Sequence, residues 1–112
     1  MQVCIVGAGA IGGYIGTRLA AAGSSVSAYA RGDTARALAA HGWRMDTAQR
    51  RITAPVARVG DDAHALGVHD LVVIAVKGPA LADIAARIAP LVGPDTVVLP
   101  AMNGVPWWFC RG

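Results

Sequence analysis

The sequence predicts a mainly parallel, doubly wound α/β sheet. Short apolar runs rich in β-branched residues recur along the chain, helical patterns lie between them, and a glycine-rich turn joins the first run to the first helix. With 112 residues, 54% of them hydrophobic and 15% charged, there is room for a single domain over 1–112 with a modest core.

The elements follow in order. "QVCIVG" is a short apolar run read as a buried strand. Ala10 to Ala22 holds helix formers and small residues, with Gly23 as the C-terminal cap. "SVSAYA" is the second strand, and Asp33 is placed to cap a helix over Thr34 to Ala40 that Gly42 ends. "WRMDTAQRRITAPVARV" then alternates in the strand sense with an interruption near Ala48–Gln49, which predicts a hairpin or two short strands. "DDAHAL" fits a single helical turn, with Asp61 and Asp62 as its caps. "DLVVIAV" is nearly continuous in apolar residues, as in a parallel sheet buried on both faces. Pro79 can start a helix that runs to Ala89, its apolar stripe made by Leu81, Ile84, Ala85 and Ile88. "TVVLPA" is the last strand. No repeat or linker divides the chain.

Composition narrows the function classes. Net charge is +3, with the arginines scattered and no basic run, which suits an anionic small molecule and argues against nucleic acid. The uncharged start "MQVCIVGAGAIGGYIGT" could be mistaken for a membrane segment with GxxxG packing at Gly9–Gly13 and Gly12–Gly16. Five glycines interrupt it and Arg18 follows at once, so no membrane association is expected. Cys4 and Cys110 form no CxxC or Cys/His set, which argues against a metal site and a disulfide framework and for a reducing cytoplasm. His41, His64 and His69 share no ligand spacing and are expected to be solvated.

The strongest chemical signal is "VGAGAIGGYIG", where G-x-G-x-x-G falls on Gly7, Gly9 and Gly12. The pattern alone is weak; after a strand and at the opening of a helix it predicts a Rossmann-like dinucleotide site. Gly7 permits the tight turn, Gly9 lets a pyrophosphate approach the backbone, and Gly12 lets the helix lie close to the sheet. Gly16, one turn on, extends that close-packing face. The helix N-terminus offers free N–H groups and a partial positive charge. An NAD site places an acid at the end of the second strand; here "SAYARGD" places Arg31 there, which can pair with a 2′-phosphate, so NADP(H) is favoured.

"GAGAIGGYIG", "ARG", "AVKGPAL" and "AMNGVPWW" in this order resemble the N-terminal half of the ketopantoate reductase (2-dehydropantoate 2-reductase) family over nearly the whole chain. The resemblance implies a pyrophosphate loop at Gly7, Ala8, Gly9, Ala10, Ile11 and Gly12. It also implies a 2′-phosphate contact at Arg31, a cleft lysine at Lys77, and an asparagine near nicotinamide and substrate at Asn103. Even the extra β stretch after Trp43 fits it. Members of that family carry a second, helical domain that holds the general-acid lysine and most contacts to the 2-keto acid. No counterpart is found in these residues, so no catalytic residue is assigned, and the isolated chain is expected to bind cofactor with little turnover. The alternative from the residues is a catalytically silent dinucleotide-binding sensor or partner module. Trp107, Trp108 and Phe109 form an apolar cluster that would drive self-association of a severed half.

Overall fold

The computed structural model describes residues 1–7, 10–75 and 84–100. In chain order its elements are β1 (Gln2–Val6), α1 (Ala10–Ala21), β2 (Ser25–Tyr29), α2 (Gly32–His41), β3 (Trp43–Asp46), β4 (Arg51–Ala54), β5 (Val59–Gly60), α3 (Ala63–Leu66) and β6 (His69–Ile74). A helical turn over 84–87, a 3-10 turn over Ala89–Leu91 and β7 (Val92–Pro100) complete it. Five strands form one parallel sheet in the order β5-β2-β1-β6-β7, and β3 and β4 form a separate antiparallel pair. The predicted doubly wound sheet with a hairpin insertion is therefore the observed one.

The sheet separates two cores because successive strand residues point to opposite faces. Cys4, Val6, Tyr29, Val72 and Ile74 pack on one face beneath Ala63, Leu66, Ile88 and Leu91. Val3, Ile5, Val26, Ala28 and Val73 pack on the other with Leu38 and Trp43, against Ile15 and Leu19 of α1. Val3 to Val6 are fully buried, which is what a central strand covered on both faces requires.

Several elements differ from expectation. β5 is a two-residue strand in the main sheet, beside β2 at Ala28↔Val59 and Tyr29↔Gly60; so short a strand has no periodicity to read. α2 begins at Gly32, with Arg31 in the N-cap position and no side-chain cap bond. Asp33 lies inside the first turn, ion-paired to Arg36 one turn on, where it still meets the positive end of the helix dipole. Asp62 does cap α3, accepting from the His64 amide at 3.0 Å, whereas Asp61 is exposed. The helix expected to reach Ala89 gives way after residue 87 to a 3-10 turn containing Pro90, which has no N–H for an α-helical bond. Its expected start at Pro79 lies outside the described residues. β7 begins four residues before the expected Thr96.

His69 corrects the expectation of solvation. It is buried, and its Nδ1–H donates to the Gly67 carbonyl at 2.8 Å. Its own carbonyl accepts from Thr96 Oγ1 at 2.6 Å, a bond that bridges the irregular start of the β6–β7 pairing. His41 and His64 are exposed.

The interruption at Ala48–Gln49 is the hairpin turn. Thr47 Oγ1 closes it, accepting from the Arg50 amide at 3.0 Å and donating to the Arg50 carbonyl at 2.8 Å. Gly42 brings the hairpin in from α2 at φ +71°, and a Cβ there would sit 2.6 Å from the Ala54 carbonyl oxygen. β7 edges the sheet, with Val97, Val98 and Leu99 at 61%, 40% and 43% exposure, so both of its faces are partly uncovered. The aromatic cluster at Trp107, Trp108 and Phe109 lies outside the described residues. Among those residues, no helix is long and apolar enough to cross a membrane.

Gly42→Ala meets both a forbidden φ and a backbone oxygen, so it should cost about 2 kcal/mol or more in urea unfolding. Burial pushes the Cys4 thiol up to about 12, from an ordinary value of 9.0. In a Cys110→Ser background the native thiol should therefore resist Ellman's reagent at pH 8 and react only on denaturation. Because the folded value is the higher one, the stability the thiol contributes is complete below about pH 9 and falls as pH rises toward 12. A pH series of unfolding curves checks that fall.

Candidate cofactor-binding site

In an open parallel sheet, ligands sit beyond the carboxyl ends of the strands where the strand order reverses. Here the chain leaves β1 for β2 on one side and later returns to β6 on the other, so the reversal lies at β1. The carboxyl edge is held in register on both sides. Gly7 N–H donates to the Tyr29 carbonyl at 3.2 Å, and Ala75 N–H donates to the Val6 carbonyl at 2.8 Å.

Gly7 turns the chain out of β1 at φ +84°, a conformation that an L side chain rarely adopts. Ala8 and Gly9 lie outside the described residues. Ala10 and Ile11 open α1, whose N-terminus thus stands at the carboxyl edge of the sheet. Gly12 is buried, and a Cβ on it would lie 2.4 Å from the Gly7 carbonyl oxygen and 3.0 Å from Ile5 Cγ2. No side chain fits in that gap, so the helix approaches the strand as closely as the third motif glycine predicts. Gly13, the next residue, faces open space with nothing within 4 Å.

Gly16 has a different neighbour from the one its spacing implies. A Cβ there would meet the six-membered ring of Trp43 at 2.6 to 2.8 Å. It therefore packs against the hairpin and not directly against the sheet. Trp43 is 1% exposed, and its Nε1–H donates to the Val26 carbonyl at 3.0 Å. Sequence reasoning placed Trp43 only at the head of an irregular β stretch; the available signal was a tryptophan at a strand start, with no partner residue named.

Arg31 stands two residues beyond β2, exposed, and its guanidinium makes no hydrogen bond or ion pair to the described residues. It is at the same sheet edge as Gly7, because β1 and β2 are in register at Val6↔Tyr29. Asp33, the nearest acid in sequence, is held by Arg36. Lys77 and Asn103 lie outside the described residues; β6 ends three residues before the one and β7 three before the other. A groove of about 390 Å³ beside this edge, lined by Tyr29, Asp61, His64 and Arg87 among others, had no signal in the sequence.

The edge thus combines the N-terminus of α1, the Gly7 turn and an arginine. That combination can hold a phosphate ester through backbone donors and a second anionic group through the guanidinium.

The two adjacent glycines separate packing from propensity. Gly12→Ala should destabilise the protein by about 2 kcal/mol or more, because the helix must move off β1. Gly13→Ala should stabilise it by about 0.5–1 kcal/mol, as expected for an open helical glycine. Thermal unfolding of both variants reads the difference.

Comparison with known proteins agrees with this geometry. Residues 3–106 match the family model for ketopantoate reductase PanE/ApbA. The chain is 43% identical over its whole length to a 2-dehydropantoate 2-reductase of Mesorhizobium japonicum, covering 34% of that protein. It superimposes with a TM-score of 0.86 on the structure of a protein assigned as a ketopantoate reductase from Ralstonia solanacearum MolK2. That protein is 56% identical, and the match covers 96% of this chain and 33% of the other. A PanE/ApbA family ketopantoate reductase from Ralstonia eutropha JMP134 gives a TM-score of 0.83 at 35% identity, covering 93% of this chain and 35% of the other. The chain therefore spans about a third of the length of these relatives. Family and fold together imply a nicotinamide dinucleotide cofactor. On sequence and on structure alike, the chain belongs to the ketopantoate reductase PanE/ApbA family.

Proposed function

We propose that residues 1–112 form the NADP(H)-binding domain of a 2-dehydropantoate 2-reductase, the enzyme that converts ketopantoate and NADPH to pantoate on the way to pantothenate and coenzyme A. The observation that carries the choice of NADP(H) is Arg31. It is an exposed guanidinium at the carboxyl end of β2, without a partner among the described residues, in the place where an NAD site needs an acid. Asp33, which could have served as that acid, sits within α2 and pairs with Arg36. The family match supports the substrate class, a small 2-keto acid.

The residues present fit the cofactor's phosphates: Gly7 has the φ that a tight phosphate loop uses, and the lack of a side chain at Gly12 lets the start of α1 lie against that turn. In this reading the backbone of Gly7, Ala8, Gly9, Ala10, Ile11 and Gly12 binds the pyrophosphate. Arg31 binds the 2′-phosphate. Lys77 and Asn103, which follow the two strands beyond the reversal, serve the nicotinamide end, and Asn103 also serves the substrate. When bound, the cofactor supplies the hydride. This chain's own part is to anchor and orient it, by the helix N-terminus at one phosphate group and the guanidinium at the other. The reading as a silent sensor module has no observation of its own in its favour.

The test is a pair of binding isotherms. The protein should bind NADPH more tightly than NADH, and Arg31→Ala should lose about ten- to a hundredfold in NADPH affinity while NADH changes little. Equal affinities for the two cofactors in the unmodified protein would remove the assignment of NADP(H).

A further inference from the structure

We propose that Trp43 is a positioning residue for the cofactor: its indole acts as a strut that sets α1 against β2 and so fixes where the α1 N-terminus points. The inference rests on the cofactor reading above and extends it to a residue more than 30 positions beyond the glycine motif.

The geometry is specific. One end of the indole is pinned to the sheet, since Nε1–H donates to the Val26 carbonyl at 3.0 Å in a buried setting. The other end lies against the backbone of α1, with ring carbons Cζ3, Cη2 and Cε3 at 2.6, 2.7 and 2.8 Å from where a Gly16 Cβ would be. Trp43 is 1% exposed and borders the groove of about 450 Å³ between α2 and the hairpin, so the Nε1–H bond to Val26 is what fixes where the ring sits. α1 is thereby held at two glycines one turn apart. Gly12 rests on the Gly7 turn and Ile5, and Gly16 rests on the Trp43 ring. Ile15 and Leu19 also pack α1 on this core, and the two glycine contacts set how close its backbone lies and at what angle. Gly16 is six residues from the start of α1 at Ala10, about 9 Å along the axis, so a displacement at the strut is carried to the N–H groups that face the phosphates.

The Val26 carbonyl also accepts from the Ala57 amide at 2.9 Å. Removing the indole N–H therefore leaves no orphaned acceptor, and Trp43→Phe should remain folded. Its smaller ring also vacates the space that Cζ3 and Cη2 fill against α1. That makes it the natural suppressor of a methyl group added at Gly16.

The experiment uses the whole chain and two ligands. NADPH needs both the α1 N-terminus and Arg31; adenosine 2′-monophosphate needs the arginine end alone. The unmodified protein is measured first, and if it binds no NADPH the cofactor reading itself fails. If it binds, Gly16→Ala should weaken NADPH about tenfold and leave adenosine 2′-monophosphate within about twofold. Combining it with Trp43→Phe should return NADPH affinity most of the way. Trp43→Phe alone should weaken NADPH several-fold, which keeps the test available if Gly16→Ala does not fold. Unchanged NADPH affinity in both single variants would overturn the strut. So would a parallel loss of both ligands, which is the signature of a folding defect, or failure of Trp43→Phe to rescue Gly16→Ala.

Discussion

The structure depends on how closely α1 lies on β1. At Gly12 the helix backbone comes so near the Gly7 turn that a single methyl group would collide with a carbonyl oxygen at 2.4 Å. This contact decides the direction of the first helix. It also places the N-terminus of α1 at the carboxyl edge of the sheet, beside the β1–β2 register that ends at Val6↔Tyr29. The remaining strands extend that frame outward on both sides of β1, and the two cores bury its faces. A dinucleotide needs such an edge because backbone donors satisfy phosphate oxygens only where no side chain intervenes.

The hairpin gives this frame a second fixed point. β3 and β4 stand outside the parallel sheet, yet Trp43 inserts between α1 and β2 and is among the most buried large side chains. The i, i+4 glycines that could have served as a membrane packing motif face two different things: Gly12 a strand and its turn, Gly16 an indole. The same small-residue spacing that packs helices in lipid serves here to bring a helix onto the core on one face of a sheet.

Much of this was legible in the residues. β1, β2 and β6 were readable as short apolar runs, α1 from its helix formers and closing Gly23, and α3 from its cap; the dinucleotide motif was readable because its glycines have individual steric tasks. Gly12 performs the task its place in the motif assigns. What could not be read was set by tertiary partners. β5 is two residues long and exists through pairing with β2. His69 is buried through a bond to a carbonyl two residues away and through the strand that covers it. The partnership of Gly16 and Trp43 joins positions 27 apart and has no local signature. Asp33 looked like a cap because acids favour helix starts, but the first turn satisfies the same electrostatic preference one position inside the helix.

In the proposed reading, the phosphates of a dinucleotide sit at the carboxyl edge between β1 and β2. Amide chemical-shift mapping during NADPH titration tests it most directly. Saturable shifts should be concentrated at Gly7, Gly12 and Arg31 and at the residues around them, with the opposite, amino-terminal ends of the strands unmoved. Shifts concentrated instead in the groove between α2 and the hairpin, at Ala37, Arg44 and Met45, would contradict it.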